Sequence, residues 1–499
     1  MKSLCLVGRK RIALVDQSIP QIQYDDEVLL KVAFCGICSS DVLEYTSGPI
    51  FCSQPGEQHP LTGVRLPSCL GHEYSGTVVR MGANVINVKL GDHVCVDVAY
   101  GCNEQGAEPL CHACTLNYNN ACARIALRGL GAPGGGFCQY VVLPSRCLHI
   151  LPDSIPLDVG ALVEPLSIAW HAVRVSGFLK GQTALIVGAG PIGLALILAL
   201  QAHAAGQIIV SEPGPIRRQH ARNLGATHVL DPTKFSSTID LVAAISHLTP
   251  PFYEGVDVSF DCGGEQDTMD AVLKTLRLGG TAVNLAIWQN PKAQISPIDL
   301  TSRERKFMGS MGFCGEDMDQ VIEALNRGII PMERVQQLIS STVTLDNAIE
   351  YGFNALIRHR DRIVKILVSP ATCEAQTEEE SYEQSGEEYR DDTRRRNESR
   401  GSGSGSGSSK SSSSSKSSSS SKSSSKSKRH GDSRSRVHSS QRRSSQQRQQ
   451  QRQQYYDQSG TAEMFDTEMN ESDTRNFAMY SHEGSIGNCT DDPSDHTLV

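Results

Sequence analysis

The sequence predicts an α/β chain: a β-rich N-terminal part, then a doubly wound parallel sheet, then a long tail belonging to neither. Strand-length apolar runs alternate with helical patterns from about residue 158 to residue 300. Within that stretch a glycine turn, Gly188-Ala189-Gly190-Pro191-Ile192-Gly193, joins a strand to a helix. Near residue 370 the composition shifts from aliphatic-rich to rich in Ser, Glu, Gln and Arg.

Residues 1–157 read as mostly β. Glu27 to Phe34, Tyr74 to Met81 and His93 to Val98 are β-branched runs punctuated by Gly82-Ala83-Asn84 and Gly91-Asp92. No helical periodicity competes with them before Asp158. In residues 158–300, strands at Ala184, Ile208, His228, Val256 and Thr281 are separated by helix-like stretches such as Ile216 to Leu224 and Thr268 to Leu276. Residues 301–369 hold an amphipathic helix, Asp317 to Asn326, and a last strand, Arg362 to Val368, expected to return to the N-terminal domain. Residues 370–499 cannot bury enough apolar surface to offset their ordering entropy and are expected to form a disordered tail.

The N-terminal MKSLCLVGRKRIALV carries Arg9, Lys10 and Arg11 after a short apolar start, and no apolar run reaches membrane length. Neither a signal peptide nor a membrane span is expected, and a cytoplasmic location is the expectation. The 16 cysteines, many between Cys35 and Cys147, then read as reduced thiols with some metal ligation rather than a secreted disulfide framework. The net charge of −8 averages over a heterogeneous tail and says little about partners.

The glycine turn follows the apolar strand Ala184 to Val187 and precedes the helix-forming run Leu194 to Leu200. Gly188 permits the tight turn, Gly190 lets a pyrophosphate approach the backbone, and Gly193 lets helix and strand pack closely. The free N–H groups at the start of the helix, around Pro191 and Ile192, attract the negative charge. A second strand ends at Glu212, about 20 residues further on, where an acidic side chain suits ribose hydroxyls and repels a 2′-phosphate. NAD is therefore expected over NADP, although Arg217 and Arg218 stand close by.

Two residue sets in the N-terminal part suggest metal chemistry. Cys38, the triplet Gly71-His72-Glu73, and Glu164 before an amphipathic helix offer thiolate, imidazole and carboxylate. Three such ligands with an open position make a Lewis-acid zinc site. Each also has an ordinary explanation: a buried thiol, a core histidine, a carboxylate favoured at a helix start. Cys35 and Cys38 form a C-x-x-C, but without the βαβ context of a thioredoxin-like redox pair. The second set is Cys102, Cys111, Cys114 and Cys122, whose spacing points to closed structural zinc, with unrelated free thiols as the alternative.

Taken in order, FCGICSSD (34–41), HPLTG (59–63), GHEYSGTVV (71–79), GGGFCQYVV (134–142), ALVEPLSIAWHAV (161–173), GAGPIGLA (188–195), FDCGG (260–264) and VNLAIW (283–288) resemble the zinc-containing medium-chain dehydrogenase/reductase superfamily. The likeness is strongest to its branch around butanediol and polyol dehydrogenases, and it runs to about Ser369. It implies a GroES-like catalytic domain completed after residue 300, with a Rossmann domain inserted. It also implies catalytic zinc held by Cys38, His72 and Glu164, with Glu73 as a neighbouring or exchanging carboxylate and Ser40 passing the substrate proton toward solvent. The implied activity is NAD-dependent oxidation of a secondary alcohol or vicinal diol, with sorbitol or xylitol as alternatives, in a homo-oligomer. Two departures stand out. Leu43 occupies a position where that branch usually has His, and the cysteine loop has Glu108 where a cysteine ligand is common, so Cys102 is taken as the fourth ligand with Glu108 as the alternative.

The tail supports an expectation of another class. Lys410 to Arg452 is a Ser/Lys/Arg/Gln tract whose only acid is Asp432, a composition suited to RNA or acidic partners. A catalytically weak binding protein using that tail is the competing reading, set against a solvated extension without function.

Overall fold

The computed structural model describes residues 1–370 apart from 251, 253 and 289–291. The expected tail, 370–499, lies outside the described residues except for Pro370.

A ten-residue strand, Glu27–Gly36, organises the first sheet. Its β-branched and aliphatic residues pair antiparallel with Glu73–Met81 along one edge. Tyr140–Pro144 and Lys365–Ser369 share the other edge end to end. The sheet has seven strands and continues through His93–Val96 and Leu148–Ile150 on one side and Ile339–Thr344 on the other. The last strand thus returns to the N-terminal domain, starting at Lys365 rather than Arg362. Register decides which side chains meet at the end of the organising strand. Gly36 lies opposite both Glu73 and Leu367, so Lys365, two residues before Leu367, comes level with Cys38.

The second sheet is six-stranded and parallel throughout, in the order His228–Leu230, Gln207–Ser211, Thr183–Val187, Val256–Asp261, Leu276–Asn284, Lys306–Gly309. Strand order reverses beside Thr183–Val187, and the crevice at the carboxyl ends of such strands is where doubly wound sheets bind nucleotides. The helix Pro191–Ala202 is buried continuously from Gly193 to Leu200, which explains its nearly unbroken apolar sequence. It packs on Val163–Val175, which in turn packs on Gly315–Asn326. One apolar cluster runs from Leu4 through Tyr74 and Phe137 to this helix; a second, around Leu185, Ile209, Ile245 and Val272, closes the other face of the parallel sheet.

The structure departs from the sequence expectation in three places. A helix, Ser39–Ser47, interrupts the part read as strands alone. It forms because Asp41 reaches back to the Cys38 amide at 2.9 Å, a capping box with a cysteine in the cap position. The helix read as Thr268 to Leu276 spans Gln266–Lys274, and Leu276 already begins a strand. The parallel sheet also gains a sixth strand, Lys306–Gly309, beyond residue 300. Among the described residues no helix is long and apolar enough to cross a membrane.

Candidate active site

The cap that starts helix Ser39–Ser47 aims Cys38 at the beginning of strand Glu73–Met81. There Cys38, His72 and Glu73 bring thiol, imidazole and carboxylate within 4.8 Å of one another. His72 and Glu73 are buried. Asp41 Oδ1 faces His72 Nδ1 at 3.5 Å, and Ser40 Oγ lies 3.2 Å from His72 Nε2. At that distance neither Asp41 Oδ1 nor His72 Nδ1 completes a hydrogen bond, and both are buried without a partner. Burial pushes the imidazole pKa down, yet Asp41 and Cys38 outweigh it and hold it well above its ordinary value.

Glu73 is held differently. Lys365 Nζ donates to both its oxygens, at 2.7 and 2.6 Å, and to the Ile37 carbonyl at 3.2 Å. A Cβ on Gly36 would overlap Glu73 Oε2, so glycine is what lets the carboxylate lie across the strand. Glu164 lies outside this three-residue set. It is buried in the first turn of helix Val163–Val175, and its Oε2 has no hydrogen-bond partner. Burial, reinforced by Glu73, pushes its carboxyl up to about 8. The thiol, imidazole and carboxylate of Cys38, His72 and Glu73 are the donor chemistry that a divalent cation satisfies, and the set fits zinc; the unpaired oxygen of Glu164 is a further donor outside it.

Cys102, Cys111, Cys114 and Cys122 bring four sulfur atoms within 4.8 Å of one another. Cys122 Sγ lies 3.6 Å from Cys102 and 3.8 Å from Cys111. Amides of Cys114 and Ala123 draw the Cys111 thiol down to about 6, while burial lifts Cys114 to about 12. Four sulfurs with no open position suit structural zinc. Glu108 is not in the group. The next residues tie this loop to the rest of the molecule: Asn120 Nδ2 donates to the Met311 carbonyl at 2.6 Å and sits 3.2 Å from His171 Nε2. His171 Nδ1 and Arg174 both bind the buried carboxylate of Asp317.

At the glycine turn, Gly188 has φ +98° and a Cβ on Gly193 would overlap the Gly188 carbonyl oxygen. Gly190 differs: a Cβ there would meet only Arg217 Nη1, at 3.9 Å, so its face is open for a ligand. Pro191 and Ile192 open the helix. Glu212 is buried and accepts from the Ala189 and Gly214 amides at 2.7 Å each, fixing the turn to the end of the second strand. Arg217 donates to the Arg360 carbonyl and keeps an unpartnered Nε, while Arg218 pairs with Asp231 at 3.0 Å.

Sequence reasoning missed Asp41 and Lys365. A signal for Asp41 was present, since an acid three residues past Cys38 is a helix-capping spacing. Lys365 gave none beyond being a lone charge in an apolar strand.

The Alcohol dehydrogenase GroES-like domain family matches residues 24–153, and the Zinc-binding dehydrogenase family matches residues 191–327. The chain belongs to the zinc-binding dehydrogenase family and has the two-domain architecture of a zinc alcohol dehydrogenase. (R,R)-butanediol dehydrogenase of Saccharomyces cerevisiae is 42% identical to it over 360 residues, 70% of this chain and 93% of that protein. The crystal structure of 2R,3R-butanediol dehydrogenase from Bacillus subtilis superposes with a TM-score of 0.66 at 35% identity, covering 74% of this chain and 99% of that one. A putative zinc-binding dehydrogenase from Sinorhizobium meliloti, solved bound to NADP, gives 0.63 at 28% identity with the same coverage.

Proposed function

We propose that this enzyme oxidises a vicinal diol of the butane-2,3-diol type, or a similar secondary alcohol, and reduces the matching hydroxyketone, such as acetoin, with zinc and NAD. The observation that carries it is the convergence of Cys38, His72 and Glu73 within 4.8 Å, on a fold whose second sheet ends in an open glycine turn. The butanediol dehydrogenase relatives supply the substrate class.

Cys38, His72 and Glu164 would hold the catalytic zinc, and Cys102, Cys111, Cys114 and Cys122 would hold a structural one. Glu73 stays beside the first as a carboxylate neutralised by Lys365. When bound, zinc supplies a Lewis acid that lowers the alcohol hydroxyl pKa, and the nicotinamide supplies the hydride acceptor. Asp41 places its carboxylate 3.5 Å from His72 Nδ1. Ser40, almost buried and hydrogen-bonded to His72, takes up the substrate proton and passes it outward. Leu43 is no proton carrier, so the proton leaves from Ser40 by another path. Gly188, Gly190, Gly193 and the Pro191–Ile192 helix start receive the diphosphate, with Arg217 beside Gly190. Glu212 sets the NAD preference by its charge at the ribose position. The enzyme works as a cytoplasmic homo-oligomer.

Steady-state rates with butane-2,3-diol, acetoin, sorbitol and xylitol, each with the NAD and NADP couples, test this. Highest kcat/KM for the four-carbon pair with NAD(H) is expected. Preference for sorbitol or xylitol would assign the polyol reading instead, and preference for NADP would overturn the role of Glu212.

A further inference from the structure

Three thiols outside both zinc sets meet behind the strand segment that carries His72. Strand Lys2–Gly8 runs antiparallel to Ser68–Cys69 with Cys5 directly opposite Cys69. The Leu70 amide donates to the Leu4 carbonyl at 3.2 Å, so Leu4 and Leu70 form a hydrogen-bonded pair. Cys5 and Cys69 therefore occupy the adjacent non-hydrogen-bonded position. Side chains there project to one face from Cα atoms about 4.5 Å apart, within the roughly 4.4–6.8 Å that a disulfide spans. The third thiol, Cys138, reaches the same place because its backbone bridges to Ser3. Cys138 Sγ and Cys69 Sγ both donate to the Gly135 carbonyl, at 3.2 and 3.5 Å. Cys5 and Cys138 are buried, and Cys69 is partly exposed. All three are free thiols. The hydrogen bond from Cys69 outweighs burial and lowers the Cys5 thiol pKa, giving that sulfur nucleophilic character, whereas hydrogen bonds with Cys138 and Cys5, together with burial, push the Cys69 thiol well above its ordinary value.

We propose that Cys5 is a peroxide-sensitive thiol and Cys69 its resolving partner, so that the enzyme carries a reversible redox switch formed by a Cys5–Cys69 disulfide. A hydroperoxide is the oxidant. Its O–O bond breaks as the Cys5 sulfur takes one oxygen, giving a sulfenic acid and releasing water, or an alcohol from an organic hydroperoxide. The Cys69 sulfur then attacks the Cys5 sulfur; the S–S bond forms, the S–O bond breaks, and water leaves with the Cys69 proton. Two thiols lose two electrons and the peroxide gains them.

The link acts on the active site because the chain between Cys69 and His72 has no slack. Leu70 is tied to Leu4 and receives the Phe137 amide, and the Gly71 carbonyl receives the Gly136 amide. Gly71 itself has φ +95°, and a Cβ there would lie 2.7 Å from Cys35 Sγ. Drawing the two sulfurs to about 2.05 Å pulls on this segment and shifts His72. An ångström of misplacement at a reacting centre costs about a hundredfold in rate, and a fraction of that, roughly tenfold, is expected here.

The test treats the zinc-loaded full-length enzyme with stoichiometric hydrogen peroxide, blocks remaining thiols, and maps linked peptides by mass spectrometry. The expected result is a Cys5–Cys69 linked peptide, a roughly tenfold loss of activity with both zinc equivalents retained, and recovery with dithiothreitol. Cys5→Ser should lose the linked peptide and the reversible inactivation together, whereas Cys138→Ser should keep both. A Cys69–Cys138 link, no link, or inactivation that follows zinc release overturns the proposal. The activity arm rests on the proposed function; the linked peptide in wild-type enzyme does not, so failure of either is distinguishable.

Discussion

Replacing Lys365 with Met probes the buried ion pair beneath the zinc site. Lys365 is 3% exposed and Glu73 1%, and the ammonium serves both carboxylate oxygens and the Ile37 carbonyl. Burial works against the Lys365 charge, but Glu73 and Cys38 more than offset it and raise its pKa. Methionine keeps the length and most of the volume of lysine while removing the charge, so the main loss is compensation for Glu73. Breaking one side of a buried pair costs about 3–5 kcal/mol. Glu73→Gln in the same background removes the stranded charge and should recover part of the loss. Urea denaturation of all three proteins at pH 7, with zinc content measured alongside, provides the assay. A deficit below about 1 kcal/mol would refute the ion pair as described.

Two further outcomes concern other parts of the molecule. Burial opposes the Asp317 charge, but His171 and Arg174 outweigh it and hold the carboxyl at about 2. That depression contributes about 2 kcal/mol, fully present above pH 4 and lost as pH falls toward 2; the stability gap between wild type and Asp317→Asn should narrow over that window, and a constant gap would count against it. Gly193→Ala drives a methyl into the Gly188 carbonyl, so the turn must open. NAD affinity by fluorescence titration should fall at least about tenfold, and unchanged affinity would show that the turn tolerates a side chain.

The parts of the fold visible in the sequence are those set by neighbouring residues. The glycine turn is readable because strand, turn and helix follow within one short stretch, and Gly193 is required by contact with Gly188 five residues away. The cysteine loop is readable for the same reason: Cys111, Cys114 and Cys122 lie close in sequence. Helix Ser39–Ser47 was hidden because its apolar face is weak and its cap is a cysteine, a residue that signals chemistry rather than a helix start. The edge strand Lys306–Gly309 is short and largely exposed, so it lacks the apolar run that marked its neighbours. Lys365 could not be seen at all. It meets Glu73 across 292 residues of sequence through the register of a returning strand, and register is a tertiary property. The same holds for the two acids the sequence offered: Glu73 lies with Cys38 and His72 and pairs with Lys365, whereas Glu164 lies outside that set, and neither placement is local.

The most direct test of the zinc-centred chemistry is Cys38→Ser in the full-length enzyme, with bound metal and NAD affinity measured beside alcohol oxidation. One of two zinc equivalents should be lost, diol oxidation abolished, and NAD affinity kept within about twofold of wild type, because the glycine turn and the four-cysteine loop are separate from this thiol. Retention of both zinc equivalents with near-normal turnover would contradict the assignment of Cys38, and with it the metal site on which the proposed reaction rests.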